Sequence, residues 1–301
     1  MSASEALRDE LAAIAPTRRC CRLAELSALF HAAGAWHLRG RAVAVHLDLA
    51  TASAARRAFA LLRGLGVRSE IRTYKRRAFD RATRYQLHVD VDARALAVLR
   101  EAGVLSAGGA PLEHPPKRVV GRSCCRAAYL RGALLGAGSL SGPRAPHLEL
   151  RASGIEGARF IADVAARENV ELRVAERRGH AVAYAKGGEA IADLLAVAGA
   201  SDASLRLDEH AVMAATRARA NRLANADEAN LVRTARAAHE QLEAIRQLGL
   251  DDLPPKLQEI AELRVRHPTL PLAELARKCR PPITKAAAHR RLRAIVARAS
   301  D

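Results

Sequence analysis

Aromatic side chains are scarce in this 301-residue chain, at 3% of its residues, with one tryptophan. That scarcity argues against an aromatic-lined ligand cavity. It predicts closely packed helices of alanine, leucine and valine, because half the residues are hydrophobic and alanine is the commonest of them. Cysteine is limited to Cys20, Cys21, Cys124, Cys125 and Cys279. The count is odd, and adjacent pairs lack the C-x-x-C spacing of a zinc or redox site. They read as small, half-buried residues at helix starts in a reducing cytosol, with no metal centre, and nothing in the sequence supports a thiol switch. No apolar run is long enough for a signal peptide or a membrane span, and the opening MSASEALRDELAAIAP carries acids, so the expectation is a cytoplasmic protein without a membrane partner. The phosphate-loop, dinucleotide, zincin and nucleophile-elbow signatures are all missing, and the eleven histidines show no ligand spacing. No enzyme activity and no cofactor are expected.

What the chain has in excess is positive charge. Its formal net charge is +17, which favours a polyanionic partner, nucleic acid before an anionic membrane surface. The excess is uneven. Residues 1–116 carry a net +7, 117–205 a net +4, and 206–253 a net −1, while the last 48 residues, 254–301, again carry +7. The highest charge density therefore lies at the end of the chain.

A repeat organises the rest. CCRLAELSALFHAAG (Cys20 to Gly34) returns as CCRAAYLRGALLGAG (Cys124 to Gly138), with seven of fifteen positions identical. Each copy reads as a helix (17–33; 122–137), a hairpin, a second helix (54–65; 157–168), a second hairpin and a closing helix (93–102; 189–198). The order αββαββα, twice, predicts two four-stranded antiparallel sheets about a pseudo-twofold axis. Small residues such as Ala28, Ala32, Gly132 and Gly136 would let the two opening helices approach closely there. Neither copy has a carboxylate between Leu26 and Gly34 or between Leu130 and Ser139. Metal-dependent strand cleavage needs such groups to hold Mg²⁺ against phosphate. The expected domains are 1–110 and 117–205 for the two copies, a connector of long helices over 206–253, and a basic unit over 254–301.

That last unit reads as a helix-turn-helix: Pro255–Val265, Leu272–Lys278, a turn through Arg280-Pro281-Pro282-Ile283, and a third helix capped by Thr284. Ala288, Leu292, Ile295 and Val296 share its inward face. Lys285 lies in its first turn, Arg290 and Arg293 on the outward face beside Ala286, and His289 on the flank, a set suited to a major groove. Arg277 and Lys278 face the backbone of the bound duplex. A second basic patch, the hairpin loop carrying Lys75, Arg76, Arg77, Arg81 and Arg84, could lie along phosphates. For either patch the plainer alternative is a solvated cationic surface.

RCCRLAEL, CCRAAYLRGALLGAGSL, RARANRLANADEANLVRTARAA, LPPKLQEIAELRVRHP and PPITKAAAHRRLRAI, in that order, resemble the WhiA family of bacterial DNA-binding proteins over essentially the whole chain. The resemblance implies an α+β, two-copy LAGLIDADG homing-endonuclease-like domain followed by an all-α helix-turn-helix. Leu130 to Ser139 lies over the LAGLIDADG pattern, whose catalytic acid position falls on Ala137, and on Ala33 in the first copy. Ala286-Ala287 stand where family members often show Ser-Gly. It also implies lost nuclease activity and a transcriptional regulator of cell division, chromosome segregation or sporulation that binds double-stranded DNA on the nucleoid, with a protein partner in transcription or division. A division scaffold tethered to the nucleoid and an active homing-type endonuclease are the alternatives.

Overall fold

The computed structural model describes residues 2–39, 42–75, 82–142 and 145–300. They form two compact units, Met1–Ala214 and Ala215–Asp301.

The first unit opens with a helix that the repeat does not contain, α1 (Ala3–Ala13). Ser2 and Glu5 close a capping box at its start, and Leu7 and Leu11 enter the core. The first copy then runs α2 (Arg19–Ala33), β1 (Gly34–Arg39), β2 (Ala42–Leu49), α3 (Ala52–Gly64), β3 (Ser69–Lys75), β4 (Thr83–Val89) and α4 (Ala93–Glu101). A 3₁₀ turn (Lys117–Val120) leads to the second: α5 (Ser123–Ala137), β5 (Gly138–Leu140), β6 (His147–Ala152), α6 (Ile155–Ala166), β7 (Arg173–Arg177), β8 (His180–Lys186) and α7 (Gly188–Ala198). The sheets are antiparallel with equivalent orders, β1-β2-β4-β3 and β5-β6-β8-β7. Alternation places Val45, Leu47 and Leu49 inward on β2, and Leu47 pairs with Leu87 of β4. This is the α+β two-copy architecture expected from the repeat.

The axis is the α2–α5 contact. A Cβ on Gly132 would lie 2.3 Å from the Glu25 carbonyl oxygen, and one on Gly136 would lie 2.9 Å from Ala32 Cβ. Such proximity is open only to glycine. Gly132→Ala is therefore expected to destabilise this unit by about 1–3 kcal/mol through overpacking. The clash outweighs the gain of about 1 kcal/mol that alanine brings to a helix interior. Urea unfolding followed at Trp36, the chain's one tryptophan, which packs against this core, measures the loss.

Gly34 and Gly138 end the two opening helices, but not through a left-handed stop. Both have extended backbones (φ −76° and −74°), and each helix passes into its strand without a loop. A Cβ there would sit 2.3 Å from the Phe30 carbonyl oxygen, or 2.6 Å from that of Leu134. Glycine is required by proximity to the preceding turn.

The expected connector over 206–253 is one helix, α8 (Ser201–Leu248), 48 residues long and therefore roughly 72 Å. No break marks residue 206. Ala203 and Leu207 belong to the first core, and the Glu10 carboxylate of α1 accepts from the backbone N–H groups of Asp202 and Ala203 at 2.8 and 3.1 Å, capping α8. Its middle is exposed on every side, and alanine-rich composition sustains it there. Nor does the terminal core begin at 254, because Ala244, Ile245 and Leu253 already belong to it. The second unit adds α9 (Pro255–Arg266), α10 (Leu272–Lys278) and α11 (Lys285–Ser300), closed around Ile260, Leu275, Ala288, Leu292 and Ile295. Among the described residues no helix is long and apolar enough to cross a membrane.

Candidate nucleic-acid interface

In the second unit the i, i+4, i+7 spacing of α11 buries Ala288, Leu292 and Ile295 completely. The same helical geometry turns Lys285, Ala286, His289, Arg290 and Arg293 to solvent, and all five are exposed. Val296 is partly buried against the same core. Thr284 supplies the cap, its hydroxyl oxygen accepting from the Ala287 N–H at 3.1 Å. The turn before it is anchored at two points. The Ile283 N–H donates to the Ala276 carbonyl at 3.0 Å, and the Arg280 N–H donates to a Glu259 carboxylate oxygen at 2.5 Å. Glu259 also faces Arg291 at 3.7 Å, which takes that arginine out of the free cationic set.

Arg277 and Lys278, at the end of α10, are exposed. They rim a groove of about 690 Å³ whose lining includes Arg266, His267 and Arg280. Arg280 was not among the expected contacts. It is exposed at the turn, immediately before two prolines. Arg264 does the reverse of what its charge suggests. It is 2% exposed, and its guanidinium donates to the Pro268 and Leu270 carbonyls at 3.3 and 2.9 Å, tying α9 to the loop before α10. Its place on the Leu257–Ile260–Ala261 stripe was the available signal.

In the first unit the basic hairpin is only partly described. Arg76, Arg77 and Arg81 lie outside the described residues. Lys75 is exposed at the end of β3. Arg84 is committed elsewhere, its Nε donating to Asp48 at 3.0 Å. The sheet order accounts for this pairing, because β2 and β4 are neighbours and carry an acid to the arginine.

At the C-terminal ends of α2 and α5 lies a cavity of about 650 Å³, lined by Ala33 and Ala137 among others. Both alanines are half-buried. The carboxylates in its lining are Asp48 and Glu149. Asp48 receives Arg84 and the Tyr74 hydroxyl, the latter at 2.5 Å. Glu149 pairs with His147 at 2.9 Å and Arg177 at 3.1 Å, which hold its carboxyl below the usual carboxylate range. Each acid is thus neutralised by its own neighbours.

Three family profiles match: the WhiA N-terminal LAGLIDADG-like domain over residues 19–105, the WhiA LAGLIDADG-like domain over 126–217, and the WhiA C-terminal HTH domain over 220–299. The probable cell division protein WhiA of Heliobacterium modesticaldum is 35% identical over 97% of this chain and 94% of its own length. That of Acidothermus cellulolyticus is 37% identical over 99% and 94%. The chain belongs to the WhiA family. The crystal structure of full-length DUF199/WhiA from Thermatoga maritima shares the fold at a TM-score of 0.60, with 23% identity over 98% of this chain and 97% of that one. The WhiA C-terminal profile begins within α8, in agreement with the recruitment of that helix's last turns to the terminal core.

Within the WhiA LAGLIDADG-like frame, His31 also lines the cavity. Burial pushes its imidazole down to about 4, against the raising effect of the Ser27 carbonyl that its Nδ1 meets at 2.7 Å. A base whose folded value lies below its unfolded value, about 6.5, stabilises the fold fully above that value and progressively less as pH falls toward 4. Discounted for the ring's partial contact with solvent, the loss is about 2 kcal/mol. Trp36-monitored urea midpoints should fall between pH 7 and pH 5, as roughly expected from that window. His31→Gln should flatten the dependence.

Proposed function

We propose that the chain is a sequence-specific, non-cleaving DNA-binding transcriptional regulator tied to cell division. The carrying observation is α11. It presents a small-sided start, Ala286, with Lys285, Arg290 and Arg293 exposed opposite a fully buried face, in the three-helix setting that places such a helix in a major groove. Arg277, Lys278 and Arg280, exposed at the end of α10 and in the turn after it, support phosphate contacts beside that groove. The relatives' description as probable cell division proteins supports the cellular role. On this reading the protein acts on the nucleoid.

Loss of cleavage belongs to the same proposal. A hydrolytic metal needs carboxylates with free lone pairs. The positions at the cavity hold methyl groups, Ala33 and Ala137, and the nearby acids Asp48 and Glu149 are paired with cations.

A genome-wide map of bound DNA supplies the test sequence. The full chain should then bind that duplex at least about 10³ more tightly than a scrambled one at physiological salt. It should leave both intact in Mg²⁺. Equal retention of the two duplexes would overturn specificity, and Mg²⁺-dependent cutting would overturn the loss of cleavage.

A further inference from the structure

Within its own segment neither cysteine pair has metal-site spacing. The fold changes that. Because α2 and α5 lie side by side at the pseudo-axis, their first turns bring Cys20, Cys21, Cys124 and Cys125 together, with all four Sγ atoms within 4.8 Å of one another. The sulfurs of each adjacent pair are 3.9 Å apart in α2 and 4.0 Å apart in α5.

We propose that these four thiols form a tetrathiolate site for a single thiophilic divalent ion, zinc, which clamps the two copies together at the end of the axis away from the cavity. A Zn–S bond of about 2.3 Å requires tetrahedral sulfur–sulfur edges of about 3.8 Å. Two edges, at 3.9 and 4.0 Å, are close to that length, and the other four, all within 4.8 Å, need to contract by at most about 1 Å. The role of the C-x-x-C loop is taken by the second helix: each copy supplies one edge, and packing at the axis supplies the other four. Four sulfurs this close enclose one ion. An iron–sulfur cluster holds its thiolates further apart.

The surroundings suit a dianionic centre. Binding replaces four S–H bonds with four S–Zn bonds and releases the protons to solvent, leaving two net negative charges on the tetrathiolate. Arg18 Nη1 lies 3.8 Å from Cys124 Sγ. Both helices begin at an arginine, Arg18 and Arg122, without a side-chain cap, and each cysteine pair lies in the first turn, at the positive end of its helix dipole. Cys21 and Cys125 are buried and Cys20 and Cys124 half-buried. A cleft of about 300 Å³ lined by Cys20, Cys125, Arg118 and Arg122 gives an entry path. Pairing the thiols as disulfides would instead need an oxidant and contraction to about 2.05 Å.

The test uses the full chain purified under reducing conditions without chelator. Elemental analysis should find about one zinc per chain. The Cys21→Ser/Cys125→Ser variant should lose it at least about tenfold, while Cys279→Ser retains it. To separate lost ligands from lost folding, wild-type protein stripped of metal is titrated with Co²⁺. The intense visible bands and sulfur-to-cobalt charge transfer of a tetrahedral tetrathiolate should saturate at about one equivalent and vanish on adding zinc. Folded, reduced wild-type protein that binds neither ion would overturn the proposal. So would iron–sulfur absorbance, disulfides found by non-reducing mass spectrometry of the freshly isolated chain, or metal loss in Cys279→Ser alone.

Discussion

Glu25→Ala should destabilise the first unit by about 3–5 kcal/mol, the largest single-residue stability effect expected in this chain. The Glu25 side chain is fully buried on α2 and both its oxygens are occupied. Arg57 of α3 donates to Oε1 at 2.7 Å and to Oε2 at 3.3 Å, and Arg131 of α5 donates to Oε2 at 2.9 Å. The triad carries one net positive charge, and the fold answers it with a dipole: Arg131 Nη1 donates at 3.1 Å to the carbonyl of Ala198, the last residue of α7. Alanine at 25 would leave two guanidiniums, each less than 10% exposed, without a counter-charge. Trp36-monitored urea unfolding reads the loss. A Glu25→Leu/Arg57→Met/Arg131→Met variant separates charge from packing. If desolvated charge is the source, this triple variant should be within about 1 kcal/mol of wild type or more stable, because well-packed apolar replacements often match a buried ion triad.

The protein contains half of that replacement already. Glu25 is the seventh residue of α2, and the seventh residue of α5 is Tyr129. Arg57 is the sixth residue of α3, and the sixth of α6 is Phe160. Where the first copy joins its two helices by an ion pair, the second uses an edge-on aromatic pair, Tyr129 and Phe160, with ring centroids 5.5 Å apart. Tyr129 is fully buried, and Arg131, which has Ser27 as its counterpart in α2, reaches back across the axis to complete the first copy's site.

This explains how far the sequence could be read. The two αββαββα units and the terminal three helices were legible because periods of 2 and 3.6 are local, and the repeat states each unit twice. The triad was not, because repeat comparison favours positions that are identical in both copies, and these three differ. Its partners are also 32 and 106 residues apart. The cysteines were visible as pairs, yet their convergence depends on which ends of α2 and α5 meet. Arg84 looked free until the sheet order placed β2 beside β4. The boundary drawn at residue 206 has no physical counterpart, since no glycine or proline interrupts residues 201–248. In α11, by contrast, one helix's own periodicity separates buried from exposed residues, so its outward set could be named in advance.

Within that set Arg290→Ala is expected to have the largest effect on DNA binding, a loss of about 1–3 kcal/mol, or roughly 5- to 150-fold, on the specific duplex. The residue is exposed on the side of α11 opposite its core, so the substitution removes no internal contact, and alanine favours the helix. Folding should therefore be unchanged, and the loss should come from the interface alone. Two cationic roles predict different results. If Arg290 makes paired hydrogen bonds to a guanine edge, affinity for the specific site falls while affinity for scrambled DNA changes little, and discrimination narrows at that base pair. If it only neutralises phosphate, both duplexes weaken together and the slope of log affinity against log salt shrinks by about one ion. Lys75→Ala, at the exposed end of β3, should show that second pattern if the first unit contacts DNA. Fluorescence anisotropy on both duplexes across a salt series decides between them. Parallel losses in the specific and scrambled duplexes for Arg290→Ala would move base recognition away from this side chain, leaving Arg293 as the next outward arginine on the same helix.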